Sequence, residues 1–301
     1  MSNLRTTENK GIFSGTMLKI FALVCMTIDH IGLYLMDNSY PMRAIGRLAF
    51  PIFAYMIAEG CKYTHNRTRY FYTIFIMGLA FQTVCILADD NYHMNIFITF
   101  SLSILLIYSL DYGRNNSETV QWQFPILAVL FVLFVSEIMP MFLGDINYGI
   151  DYGFFGIVLP LMVYLFDKKE LKLIMFTVGL ILLGLTRDAI QWWSMFAVIP
   201  IAFYNGKRGK LKIKYFFYGY YPLHIVAIQL IKHFILKENL WRYIMGPYYY
   251  VVERISGDYG FLKRTDIEDN DLLQVAMALL PSDIDEGTKL KWENLVYTVI
   301  D

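Results

Sequence analysis

Apolar stretches recur along the first 240 residues with short polar breaks between them. Each is close to the roughly 20 residues that a helix needs to cross a hydrocarbon core. The pattern predicts about nine spans, at 17–36, 44–61, 70–88, 95–111, 122–141, 150–166, 171–186, 190–204 and 214–236. Several are short, which suits tilted or partly re-entrant helices in a bundle. Beyond residue 247 the pattern changes. Tyr248 to Ile255 reads as a strand, Gly257-Asp258 as a turn, and Tyr259 to Leu262 and Lys289 to Glu293 as further strands. The expected fold is an all-α polytopic membrane protein with about nine transmembrane helices and a small C-terminal β-rich domain. The expected organisation is a cytoplasmic N-terminal tail at 1–16, a multi-span domain at 17–240 and a small acidic soluble domain at 248–301.

Composition agrees with a membrane body. The chain is 56% apolar and only 17% charged, against about 25% charged in soluble domains. Its zero net charge hides a split, since residues 250–301 are net −6 and residues 1–249 net +6. The basic residues also alternate with the spans. Loops assigned to one side (1–16, 62–69, 112–121, 167–172, 205–214) carry fourteen Lys and Arg, whereas those on the other carry only Arg43 and Arg187. By the positive-inside rule the N-terminus is cytoplasmic. The first apolar run lacks a clean small-residue cleavage site and is expected to be a retained helix. Cys25, Cys61 and Cys85 are scattered without metal-ligand spacing and read as small packing residues. Nothing suggests a metal or a nucleic-acid partner; the lipid bilayer is the expected surrounding.

Ionisable residues inside spans are expensive and usually face a cavity or the bundle interior. The most unusual are Asp29 and His30, about 13 residues into the first span and hence roughly 20 Å deep. The second span opens with Arg43 and Arg47, and Pro51 can break its hydrogen-bond ladder and open room for a polar pocket. Because i and i+1 point about 100° apart on a helix, Asp29 suits Arg43 or Arg47 as a partner. His30 suits Tyr34 or a group from another helix. Glu59 lies farther along the second span, too far to join the cluster directly, and His224 follows Pro222 in the last span. Glu137 and Asp151, near span ends, read as solvated or capping. A histidine with acids nearby is the constellation of general acid–base catalysis. The plain structural reading is a polar staple between the first two helices.

Several segments resemble the TraX family, named for the conjugative pilin N-acetylase. They are Ile28-Asp29-His30-Ile31-Gly32, Arg43 through Gly60 with Gly46-Arg47-Leu48-Ala49-Phe50-Pro51, Asn95-Ile96-Phe97, Tyr148 through Gly153, and Lys214 through His224. The resemblance covers about residues 15–240. It is similar in layout to multi-span acyltransferases that carry a histidine in the first helix. It implies acetyl transfer from acetyl-CoA, without a metal, to a hydroxyl or amine acceptor on a glycan, peptide or small molecule. His30 then takes the place of the general base with Asp29 beside it, and Arg43, Arg47, Glu59 and His224 are candidates for binding donor or acceptor. The tail resembles a small bacterial domain of unknown function. The rival reading is a transporter or lipid-binding scaffold using the same polar cluster.

Overall fold

A computed structural model describes residues 11–36, 38–89, 92–115, 119–210, 214–234, 246–267, 271–293 and 296–300. Arg5, Lys10 and Lys212, counted among the fourteen loop cations, lie outside the described residues. The chain divides into two compact units, Met1–Ile228 and Gln229–Asp301.

The first unit is helical. Its elements are α1 (Gly15–Tyr34), α2 (Tyr40–Gly46), α3 (Ala49–Tyr63), α4 (Arg67–Asp89), α5 (Ile96–Asn115), α6 (Gln123–Leu133), α7 (Met139–Phe142), α8 (Gly153–Tyr164), α9 (Lys169–Leu185), α10 (Val198–Ala202) and α11 (Lys214–Phe234). Two short strands, β1 (His93–Met94) and β2 (Gly149–Ile150), pair in parallel between them. Among the described residues, five helical stretches are long and apolar enough to cross a membrane: Gly15–Tyr34, Tyr40–Tyr63, Arg67–Ile86, Ile96–Asn115 and Gln123–Phe142. The protein is therefore a multi-pass membrane protein in its helical unit. Three of the remaining expected spans hold short or irregular helices. α8 has 12 residues with Pro160 inside it, and α9 has 17. The stretch expected at 190–204 is a 3-10 helix, Ala189–Ala197, followed by the five-residue α10.

Two of the long stretches are interrupted for identifiable reasons. α2 and α3 are separated at Arg47–Leu48. Pro51 cannot donate to the carbonyl of Arg47, so the rung that would fuse the helices is missing, as the sequence leads one to expect. Between α6 and α7 the chain forms a π-helical turn, Phe134–Ile138, whose Val135 carbonyl accepts from the Tyr148 hydroxyl at 3.2 Å. The buried core includes Leu18, Ile52, Ile104, Leu159, Phe176 and Leu180. α1 packs on α2 and α3, α3 on α8, and α8 on α5 and α9.

The second unit is a five-stranded antiparallel sheet of β3 (Tyr248–Ser256), β4 (Tyr259–Arg264), β5 (Leu272–Ala276), β6 (Lys289–Glu293) and β7 (Val296–Ile300), in the order β5-β4-β3-β6-β7. Gly257 has φ +59°, the left-handed conformation that a two-residue hairpin turn requires. A bulge between Val252 and Arg254 re-aims β3. The strands read from the sequence are β3, β4 and β6. The edges β5 and β7 escape that reading because Leu272-Leu273-Gln274-Val275-Ala276 and Val296-Tyr297-Thr298-Val299-Ile300 do not alternate cleanly. One face buries Tyr250, Val252, Leu262, Val275 and Leu290. Leu262 is fully buried at its centre, so Leu262→Ala is expected to cost about 2–5 kcal/mol, read as a lowered midpoint of the sheet's unfolding transition. Near the end of β4, the Arg264 guanidinium forms a fork with Asp266 and holds its carboxyl below the usual carboxylate range. A depressed carboxyl stabilises the fold above its ordinary titration range and loses that contribution as pH falls.

Candidate functional site

α1 carries the candidate acid and base, Asp29 and His30, at adjacent positions. Ser14 caps its start, accepting from the Met17 N–H at 3.3 Å. The backbone N–H groups of Gly15 and Thr16 donate to the Lys207 and Arg208 carbonyls, both at 2.9 Å, and the Thr16 hydroxyl also donates to Arg208 at 2.7 Å. The basic loop 205–210 is thereby stitched to the start of α1. Of its cluster Lys207 to Lys214, residues 211–213 lie outside the described residues.

Asp29 and His30 sit about 22 Å farther along at 1.5 Å per residue. Asp29 accepts from Arg43 Nη1 at 2.6 Å and lies 3.9 Å from Arg47 Nη2. The sequence reading anticipates both partners. The helix break brings them there, because α2 ends beside α1 and turns before α3 begins. Gly46 makes the approach possible, since a Cβ on it would overlap the Asp29 side chain. Gly32 does the same from α1, where a Cβ would lie 2.6 Å from Met42 Cβ. Such small residues let helix backbones approach closely. Gly46→Ala is therefore expected to displace Asp29 and cost about 1–3 kcal/mol by overpacking, seen as a lower thermal midpoint in detergent.

His30 meets a histidine from the far end of the chain. Its Nδ1 lies 2.6 Å from His224 Nε2, with ring centroids 4.9 Å apart. The sequence reading allows Tyr34 or another helix as the partner. The hydrogen bond goes to the other helix, while the Tyr34 ring stands 6.1 Å away.

A cavity of about 640 Å³ follows α1 and α3. On α1 it is lined by Thr16, Lys19, Leu23, Met26 and Asp29, a spacing of three to four that keeps one helix face on the cavity, with His30 beside Asp29 at the end of the row. On α3 it runs from Ala49 and Phe50 through Phe53 and Met56 to Glu59 and Tyr63. One end is bounded by Gly15, Lys19, Gly206 and Arg208, and the other by Asp29, His30, Asp151 and Tyr152. Mostly apolar walls with a few convergent polar groups are what a ligand pocket shows.

The inner end is held by the loop before α8. The Asp151 N–H donates to the Met94 carbonyl at 3.1 Å, and the Thr99 hydroxyl donates to the Asp151 carbonyl at 2.9 Å. Its carboxylate lies 3.3 Å from His93 Nδ1. Tyr152 has φ +64°, a strained conformation for an aromatic residue, and its ring stacks on Phe50 with centroids 3.7 Å apart. It cannot cap α8 with its side chain. Glu137 does so from the π turn, accepting from the Phe154 N–H at 2.9 Å. Asn95 opens α5, accepting from the Phe97 N–H at 3.0 Å while its amide donates to the Gly78 carbonyl and Gln82. Ile96 and Phe97 then face the cavity.

The candidate residues thus divide into those on the cavity wall and those behind it. Asp29, His30 and Glu59 are on the wall. Arg43, Arg47 and His224 are behind it, against Asp29 and His30. Glu59 stands apart from the Asp29 cluster, in a buried ion pair with Lys172 beneath the Tyr55 ring. Asp151, read as solvated or capping, has a side chain 35% exposed and faces the cavity with Tyr152. The sequence signal was the acid flanked by glycines in Tyr148–Gly153. Lys172 gave no signal beyond being a cation in a basic loop.

Residues 14–232 match the family described as TraX protein. The probable fimbrial assembly protein FimC, serogroup H1, of Dichelobacter nodosus is 23% identical over 256 residues, covering 74% of this chain and 97% of that protein. An uncharacterized protein of Rickettsia prowazekii (strain Madrid E) is 33% identical over 165 residues, covering 53% of this chain and 59% of that protein. No solved structure matches the chain. The family match takes in every residue that lines the cavity, from Gly15 to Tyr221. This chain belongs to the TraX family.

Proposed function

We propose that the chain is a membrane-embedded acetyltransferase that moves an acetyl group from acetyl-CoA to a hydroxyl or amine acceptor, with His30 as general base. The observation that carries the reading is the continuous cavity between a basic end and His30. An anionic donor meets Lys19 and Arg208 first, then the apolar walls of α1 and α3, and an imidazole at the inner end. Bound acetyl-CoA supplies an activated thioester carbonyl. His30 takes the acceptor's proton as the acceptor oxygen or nitrogen attacks that carbonyl, and the thiolate leaves. Asp29 and Asp151 set two carboxylates beside the base, where they can orient the acceptor's polar hydrogens. Arg43 and Arg47 act through Asp29, offsetting its charge. The Tyr152 and Tyr221 hydroxyls are neutral donors on the wall for charge developing on the carbonyl oxygen.

The test is transfer of labelled acetyl from acetyl-CoA by the purified protein in liposomes, against a panel of sugar, amine and peptide acceptors. Label appearing on an acceptor, or acetyl-CoA hydrolysed in its absence, supports the reading. An inert protein that also fails to bind acetyl-CoA overturns it in favour of a transport or scaffold role.

We also read α8, α9, the Ala189–Ala202 segment and α11 as spans. That gives nine crossings of a bacterial cytoplasmic membrane with the basic loops inside. In a cysteine-free background, Lys207→Cys is then expected to react with an impermeant maleimide only from the cytoplasmic face, and Asn147→Cys only from the opposite face. The reverse labelling would invert the topology.

A further inference from the structure

His224 is not on the cavity wall, and its position behind His30 defines a different role. Its Nδ1 lies 2.9 Å from the Tyr220 carbonyl oxygen. A carbonyl only accepts, so His224 Nδ1 carries the proton and its Nε2 presents a lone pair. That lone pair lies 2.6 Å from His30 Nδ1. With His224 Nε2 accepting, His30 Nδ1 must donate, and the bare nitrogen of His30 is Nε2. Among the described residues His30 Nε2 has no hydrogen-bond partner, and His30 lines the cavity. The Tyr220 carbonyl thus determines the tautomer of His224, which determines that of His30.

The surrounding rings hold this alignment. His224 meets His30 end to end with the ring planes 26° apart, and it stacks on Tyr220, whose centroid is 5.2 Å away at 9°. Tyr221 stands edge-on to both imidazoles, 5.6 Å from His224 and 6.5 Å from His30. α11 is tied to α1 at the same level. The Thr27 hydroxyl donates to the Leu23 carbonyl at 2.8 Å, so the Tyr220 hydroxyl donates to Thr27, also at 2.8 Å. Pro222 removes one rung of α11 just before His224, which loosens the helix where the ring must turn toward α1.

We propose that His224 is the positioning residue of His30: it holds the first-span histidine in the Nδ1–H tautomer, so that Nε2 is the base presented to the cavity. The second nitrogen of a functional histidine is ordinarily governed in this way by the hydrogen bond its partner nitrogen makes. A neutral imidazole does here what a carboxylate or carbonyl does elsewhere. When His30 takes up a proton at Nε2, its Nδ1–H still donates to His224, and no second proton needs to move. The role of His224 in turnover rests on the acetyltransferase reading. The tautomer itself does not.

The experiment is ¹⁵N NMR of protein labelled at its five histidines, with His30 assigned by its loss in His30→Gln. Neutral His30 is expected as the Nδ1–H form, opposite to the Nε2–H form that an unrestrained imidazole prefers. In His224→Leu it is expected to revert, and His224→Gln, whose amide oxygen can accept from Nδ1–H, is expected to restore it. Acetyl transfer measured beside it is expected to fall about 10–100-fold in kcat for His224→Leu with KM unchanged, and to recover in His224→Gln. An Nε2–H form of His30 in the wild type, or a tautomer indifferent to His224→Leu, overturns the proposal. The expected tautomer pattern in a protein inert toward every acceptor upholds the positioning and overturns the transfer reading alone.

Discussion

His30→Ala is expected to lower acetyl transfer by about 10²–10⁴-fold, the range that a positioned general base contributes, while leaving the protein folded. His30 is not part of the apolar core. It sits where the cavity meets the polar cluster, and its loss opens space into a cavity that already exists. The remaining scaffold, including the Asp29–Arg43 ion pair at 2.6 Å, does not depend on it. The effect should therefore fall on kcat, with donor binding retained, because the donor meets the basic end and the apolar walls first. Transfer by His30→Ala at the wild-type rate, at an equal thermal midpoint, would remove His30 from the reaction. The polar cluster would then stand as a staple between α1 and α2.

The largest stability effect is expected at Glu59 and Lys172. Both side chains are only 9% exposed, and the pair lies under Tyr55 in the interior of the helical unit. Lys172→Met leaves the carboxylate without its ion-pair partner, and breaking a buried pair from one side costs about 3–5 kcal/mol. The double replacement Glu59→Met with Lys172→Met removes both charges and is expected to recover most of that loss, since a buried pair is often no better than an apolar substitute of similar volume. Thermal unfolding of the single and double variants in one detergent decides the matter. Additive losses would mean that the two side chains do not depend on each other. Glu59 also faces the cavity, so the double variant separates its structural part from any contact with ligand.

What was legible in the sequence follows from which interactions are local. Asp29 with Arg43 and Arg47 could be read because the first two helices join through a short turn and because Pro51 marks where the second breaks. The C-terminal strands with regular alternation could be read for the same reason. The His30–His224 pair could not be, since it joins residues 194 apart in sequence, and neither helix periodicity nor spacing carries such a contact. The partner of Glu59 was hidden in the same way, 113 residues distant. The place of Asp151 on the cavity wall is not legible in the sequence, because the β1–β2 pairing that brings that span end there joins segments far apart in the chain. Hydropathy is blind to helix type, so the span expected at 190–204 carries no sign of the 3-10 helix Ala189–Ala197 that opens it.

The most direct test of the account is equilibrium binding of labelled acetyl-CoA to the purified protein in liposomes, comparing wild type, His30→Ala and Ile57→Trp. Ile57 lines the cavity between its two ends, so an indole there should obstruct the passage without touching either the basic loop or the base. The expected result is saturable binding by wild type and His30→Ala and its loss in a folded Ile57→Trp. Absence of binding in the wild type, or binding unaffected by the blocked cavity, would contradict the assignment of this cavity as the donor's path to His30.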